Sequence, residues 1–145
     1  MNITKIQYKN NYNVFRANIK NSMEKSTEEQ FKISALNAKT LLAAKAEMEV
    51  PENGKFARVG IVYQIPDTQN IARYGIEYDE LEPRNTRRFL IGVNRKGSDM
   101  LTSIYLTKGS KKEILEFLND DSNEELIIAT LKDLNNSVEN NYKAK

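Results

Sequence analysis

Residues 55–107 read KFARVGIVYQIPDTQNIARYGIEYDELEPRNTRRFLIGVNRKGSDMLTSIYLT, and the spacing of their apolar positions decides the fold. Ala57, Val59, Ile61, Tyr63 and Ile65 alternate with polar or small residues. The same alternation recurs in Ala72, Tyr74, Ile76 and Tyr78, in Phe89, Ile91 and Val93, and in Met100, Thr102, Ile104 and Leu106. A period of two places each set on one face of a strand, so the segment predicts four strands. The connections suit an antiparallel meander. Pro66-Asp67-Thr68-Gln69 is a hairpin loop, Lys96-Gly97 is a tight turn with positive φ expected at Gly97, and residues 80–87, with Pro83, form a longer middle loop.

On either side the period changes to 3.6. Ser26-Thr27-Glu28-Glu29 is a capping box, in which the hydroxyl accepts from the amide three residues on while Glu29 reaches back to the cap amide. Phe31, Ala35, Ala38 and Leu42 continue it as one helical stripe, and Pro51 with Gly54 ends the helix near residue 49. Two further boxes, Ser110 to Glu113 and Ser122 to Glu125, should open a short helix and a longer one carrying Ile127, Leu131, Leu134 and Val138. Upstream, the alternation of Phe15, Ala17 and Ile19 suggests a fifth strand, with a partly ordered arm over residues 1–24 as the other reading. The resulting order, β-α-β-β-β-β-α-α, is an α+β fold with helices on one face of an antiparallel sheet, expected to form one domain over residues 1–145.

Composition narrows the chemistry. In 145 residues, 22 Lys and Arg oppose 20 Asp and Glu for a net charge of +2, and there is no His and no Cys. Thiol nucleophiles, disulfides, Ser-His triads, imidazole acid–base catalysis and zinc sites built on Cys or His are excluded, because each needs a group this chain lacks. Asn, Lys and Ile, 17, 15 and 13 residues, are all encoded by A/T-rich codons, which suggests a low-GC bacterium or one of its phages. No apolar run approaches the roughly 20 residues that span a bilayer, and the first residues lack a secretory apolar segment, so the expected location is cytoplasmic.

Strand register sharpens the outline. With Ile65 facing Asn70, Gly60 lies opposite Gly75 and Arg58 opposite Glu77; with Tyr78 beside Phe89, Gly92 also lies beside Gly75 and Arg88 opposite Asp79. Three glycines in register imply a trough on the face opposite the apolar stripe, edged by Arg58, Arg73, Arg88, Glu77 and Asp79. Such glycines serve either sheet curvature or the close approach of a ligand or partner. Residues 84–112 hold eight bases (Arg84, Arg87, Arg88, Arg95, Lys96, Lys108, Lys111, Lys112) against Asp99, and residues 113–139 hold eight acids against Lys132. Charged guards on a solvated sheet edge are the expected reading of the basic run, with steering of an anionic partner as the other.

There is no P-loop, no dinucleotide-binding glycine motif and no nucleophile elbow. Glu77, Asp79, Glu80 and Glu82 could supply carboxylates to Mg²⁺, but cross-strand arginines explain them as charge pairs. Residues 119–125 lack the glycine and closing Glu of a Ca²⁺ loop. Neither a metal nor a cofactor is expected. Tyr63, Tyr74, Tyr78 and Phe89 fall on the core face rather than the arginine face, which argues against stacking on nucleic acid. The expected function is therefore non-catalytic binding: a phage or bacterial accessory factor that uses its exposed sheet face or edge for a protein partner or a second copy. The alternative is a small anionic, nucleotide-like ligand held in the trough of Arg58, Gly60, Arg73, Gly75, Glu77, Arg88 and Gly92. Nucleic-acid binding and an enzyme independent of His and Cys rank third.

Overall fold

The computed structural model describes residues 26–79 and 85–143. Helix α1 (Thr27–Glu49) is followed by strands β1 (Arg58–Gln64), β2 (Asn70–Tyr78), β3 (Arg87–Arg95) and β4 (Thr102–Gly109). Helix α2 (Lys111–Asn119), a 3₁₀ turn (Asp121–Asn123) and helix α3 (Glu124–Lys143) complete it. The strands form one antiparallel sheet in the order β1-β2-β3-β4, so the α+β meander is as expected from the alternation. The strand expected at Phe15–Ile19 and most of the middle loop lie outside the described residues.

The helices pack on one face of the sheet, and the buried apolar side chains form one cluster. Ala35, Ala38, Ala43 and Ala46 of α1 contribute methyl groups only, which lets its axis approach Val59, Ala72, Tyr74 and Ile76 closely. Tyr63 stands edge-on to Tyr74, and Tyr74 edge-on to Phe89, at 5.6 and 6.0 Å between ring centroids. The capping boxes at Ser26 and Ser110 are both made, with each Oγ accepting from the Glu amide three residues on. Gly97 has φ of 85°, as its turn requires.

Four expectations need correction. Ser122 does not cap α3: Asp120 Oδ1 accepts from both the amide (3.0 Å) and the hydroxyl (2.8 Å) of Ser122, and the 3₁₀ turn runs straight into the helix. A carboxylate two residues upstream is the stronger acceptor and captures the residue. Met100 is not an inward strand residue; it precedes β4 and is 77% exposed. Between β2 and β3 the register is shifted by two residues from the expected one, so Ile76, not Tyr78, faces Phe89. A two-residue slip leaves every side chain on its own face, so the apolar pattern cannot distinguish the two registers. The loop ends select one, through Asp79 N–H donating to Thr86 O at 2.9 Å and Lys96 N–H to Gln69 O at 2.7 Å.

The fourth correction concerns the basic run. Arg87 and Lys111, expected as solvated guards, are buried: Lys111 meets a carbonyl in the last turn of α1, and Arg87 two carbonyls of the turn that follows it. Lys111 Nζ donates to Glu47 O at 3.0 Å, and Arg87 Nη2 to Pro51 O at 3.2 Å and Gly54 O at 3.0 Å. Helix α1 has no base in its own last turn, and its terminal carbonyls carry the negative end of the helix dipole. Positive charge from β3 and α2 supplies what α1 lacks. Arg87 lies between the rings of Phe56 and Tyr78, 4.9 and 5.5 Å from their centroids, and burial pushes its guanidinium pKa down.

Candidate functional site

The face of the sheet away from the helices carries Arg58, Gly60 and Val62 on β1, Arg73, Gly75 and Glu77 on β2, Arg88, Leu90 and Gly92 on β3, and Ser103 and Tyr105 on β4. Gly60 and Gly75 face one another and Arg58 faces Glu77, as the sequence indicates. Gly92 does not complete a straight row. The two-residue slip sets it opposite Arg73, and Gly75 faces Leu90 instead.

The three glycines also differ in what covers them. A Cβ at Gly92 would lie 2.8 Å from Leu101 Cδ1 and 3.2 Å from Ser103 Cβ, so the chain leading into β4 already occupies that end. At Gly75 the atoms nearest to a Cβ all belong to the Arg58 side chain, Nη2 at 3.2 Å and Nε at 3.3 Å. The missing side chain is thus the bed on which the Arg58 guanidinium lies. At Gly60 the nearest atom is the Tyr74 carbonyl oxygen, 3.0 Å away. What remains open is a depression of about 470 Å³ bordered by Arg58, Gly60, Val62, Arg73, Asn94 and Asp99, with Ser98 and Leu101 at the β3–β4 end.

The expected charged residues separate into two groups. Arg88 is committed: it pairs with Glu77 at 3.0 Å, lies 3.8 Å from Asp79, and stacks over Tyr105 at 4.1 Å. Tyr105 closes this group by donating its hydroxyl to Glu77 Oε1 at 3.0 Å, and partial desolvation followed by that bond raises its pKa. Arg88 and Glu77 therefore belong to a neutralised cluster beside the depression. Parity along β4 already sets Tyr105 on this face, but its contact with Glu77, two strands away, depends on the β2–β3 and β3–β4 registers and has no local signal in the sequence.

Arg73 and Arg58 are placed differently. Arg73 Nε donates to Asn94 Oδ1 at 2.9 Å, while Asn94 Nδ2 donates to Arg95 O and Ser98 O, an arrangement that holds the guanidinium stem from behind. Among the described residues neither Arg73 nor Arg58 has a carboxylate within 4 Å. Among them, too, no group of three or more Asp or Glu side chains is arranged to hold a metal, and no helix is long and apolar enough to cross a membrane. Tyr63, Tyr74 and Phe89 point into the core, away from this face.

The two edges of the sheet are unlike. On β1, Lys45 of α1 donates to Gly60 O at 3.2 Å and so places a charge against that edge. On the β4 side, residues 100–107 (MLTSIYLT) contain no charged side chain. Met100, Leu101, Ile104 and Tyr105 are 77, 40, 48 and 47% exposed. No family model, curated protein or solved structure matches the chain.

Proposed function

We propose that this chain is a binding protein, an accessory factor of a phage or bacterium, that joins β4 edge to edge with the β4 of a second copy. The observation that carries this reading is the uncharged, apolar β4 edge, on the opposite side of the sheet from the β1 edge that Lys45 guards. An exposed strand edge offers unpaired amides and carbonyls to any incoming strand, and proteins that stay monomeric usually place charge or proline there. Here Lys108 is the first charge, after the central residues of the strand.

The strand is also compatible with itself. A two-fold axis at Ile104 sets Ile104 against its own copy and Ser103 against the copy's Tyr105, keeps each residue on its own sheet face, and brings no like charges together. Solution mass tests the reading. The wild-type chain should weigh about twice its 16.7 kDa in sedimentation equilibrium. Ile104→Lys, which sets like charges against each other at the axis, should return it to monomer with an unchanged circular dichroism spectrum. A wild-type monomer at concentrations on the order of 100 μM, or an Ile104→Lys dimer, would overturn it.

A further inference from the structure

On a separate observation, we infer that the depression between β1 and the β3–β4 turn is a binding site for the phosphate group of a small phosphorylated molecule, held by Arg58 and Arg73. Three features of the geometry converge. Arg58 starts opposite Glu77 at the end of β1, yet its guanidinium lies over Gly75, the next residue along from Arg73 on the same face of β2. Both side chains border the same depression, where a tetrahedral anion can accept from two guanidinium groups. Any side chain at position 75 would fill the ground on which Arg58 lies.

The second feature is the contrast with Arg88. Of the three arginines on this face, Arg88 is neutralised by Glu77 and Asp79, while Arg58 and Arg73 have no acidic partner among the described residues. Two like charges directed into one concavity repel one another unless an anion lies between them. The third is preorganisation: Asn94 Oδ1 takes the Arg73 Nε–H and fixes the side chain, and no carboxylate among the described residues pairs with its guanidinium. The depression, about 470 Å³, has the size of a small-ligand site.

The walls limit the rest of the ligand. Among the described residues they carry backbone, Val62, Ser98 and Leu101 but no outward aromatic ring on which a nucleobase could stack. Recognition therefore rests on the phosphate, with the attached group contributing little. One acid, Asp99, stands at the rim and is exposed, and it opposes an anion.

Thermal shift and titration calorimetry with ribose 5-phosphate, AMP and adenosine test the site. Ribose 5-phosphate and AMP should both raise the melting temperature and bind with affinities within a few-fold of one another, while adenosine should do nothing. Arg58→Gln and Arg73→Gln should each weaken ribose 5-phosphate by about tenfold or more without changing the melting temperature of the free protein. Asp99→Asn should tighten it, and Arg88→Gln should change it less than either. The site is refuted if neither phosphate compound binds, if adenosine matches AMP, or if Arg58→Gln and Arg73→Gln bind as wild type does. These readouts do not depend on solution mass, so this inference and edge pairing stand or fall separately.

Discussion

Gly60 and Gly75 face each other across the β1–β2 ladder, yet the same alanine substitution should act in opposite directions at the two positions. An unhindered strand glycine replaced by alanine gains roughly 0.5–1 kcal/mol from the lost freedom of the unfolded chain. At Gly75 the new methyl meets first the tip of Arg58, an exposed side chain that can swing away, so Gly75→Ala should keep most of that gain. At Gly60 it comes within 3.0 Å of the Tyr74 carbonyl oxygen. That oxygen belongs to a strand paired on both sides and cannot retreat without disturbing two ladders. Overpacking against a fixed neighbour costs about 1–3 kcal/mol, which leaves Gly60→Ala a net loss of roughly 1–2 kcal/mol. Gly92→Ala should fall between, since Leu101 can shift and Ser103 Cβ cannot. For a chain of this length 1 kcal/mol corresponds to about 3–5 °C, so melts followed by circular dichroism should show Gly75→Ala at or slightly above wild type and Gly60→Ala roughly 3–10 °C below it. Gly75→Ala should nevertheless weaken phosphate binding, because it lifts Arg58 from its bed. A Gly75→Ala protein as destabilised as Gly60→Ala would refute the account of this face.

Arg87 and the paired tyrosines give two further tests. Arg87→Met keeps a long chain between Phe56 and Tyr78 while removing a buried charge whose Nε and Nη1 have no hydrogen-bond partner among the described residues, so it should stay within about 1 kcal/mol of wild type, whereas Arg87→Ala opens a cavity and should cost roughly 2–4 kcal/mol. Equal losses in urea denaturation would show that the charge itself, and not the packing, holds this corner. Tyr63 and Tyr74, whose hydroxyls meet at 3.1 Å, have phenol pKa values raised above the ordinary 10.0, chiefly by burial. The unfolded chain then loses these protons above pH 10 while the folded chain keeps them, so stability should be unaffected below pH 10 and should fall above it, by up to about 1.4 kcal/mol per pH unit for each tyrosine. Tyr63→Phe should reduce that slope, and melts from pH 9 to 11 with an unchanged slope would contradict it.

Local rules made much of this molecule legible in advance. Alternation in residues 57–65, 72–78 and 89–93 set strand positions and faces, because side-chain direction along a strand depends only on parity. The boxes at Ser26 and Ser110 marked two helix starts through contacts that span three residues. The β1–β2 register followed from a short hairpin, which leaves little choice of pairing. Where the determining contact was distant, the chain alone was silent. The β2–β3 register rested on the ends of a longer loop and on the packing of Phe89 opposite Ile76, with both registers equal in parity. Arg87 and Lys111 read as surface charge because the carbonyls that receive them belong to the turn after α1 and to the last turn of α1, more than thirty residues away. At the candidate site the residue types were visible, but their roles were not: Arg58, Arg73 and Arg88 look equivalent in one dimension. The tertiary structure separates them, because the slipped register gives Glu77 to Arg88 while Gly75 lets Arg58 lie toward Arg73.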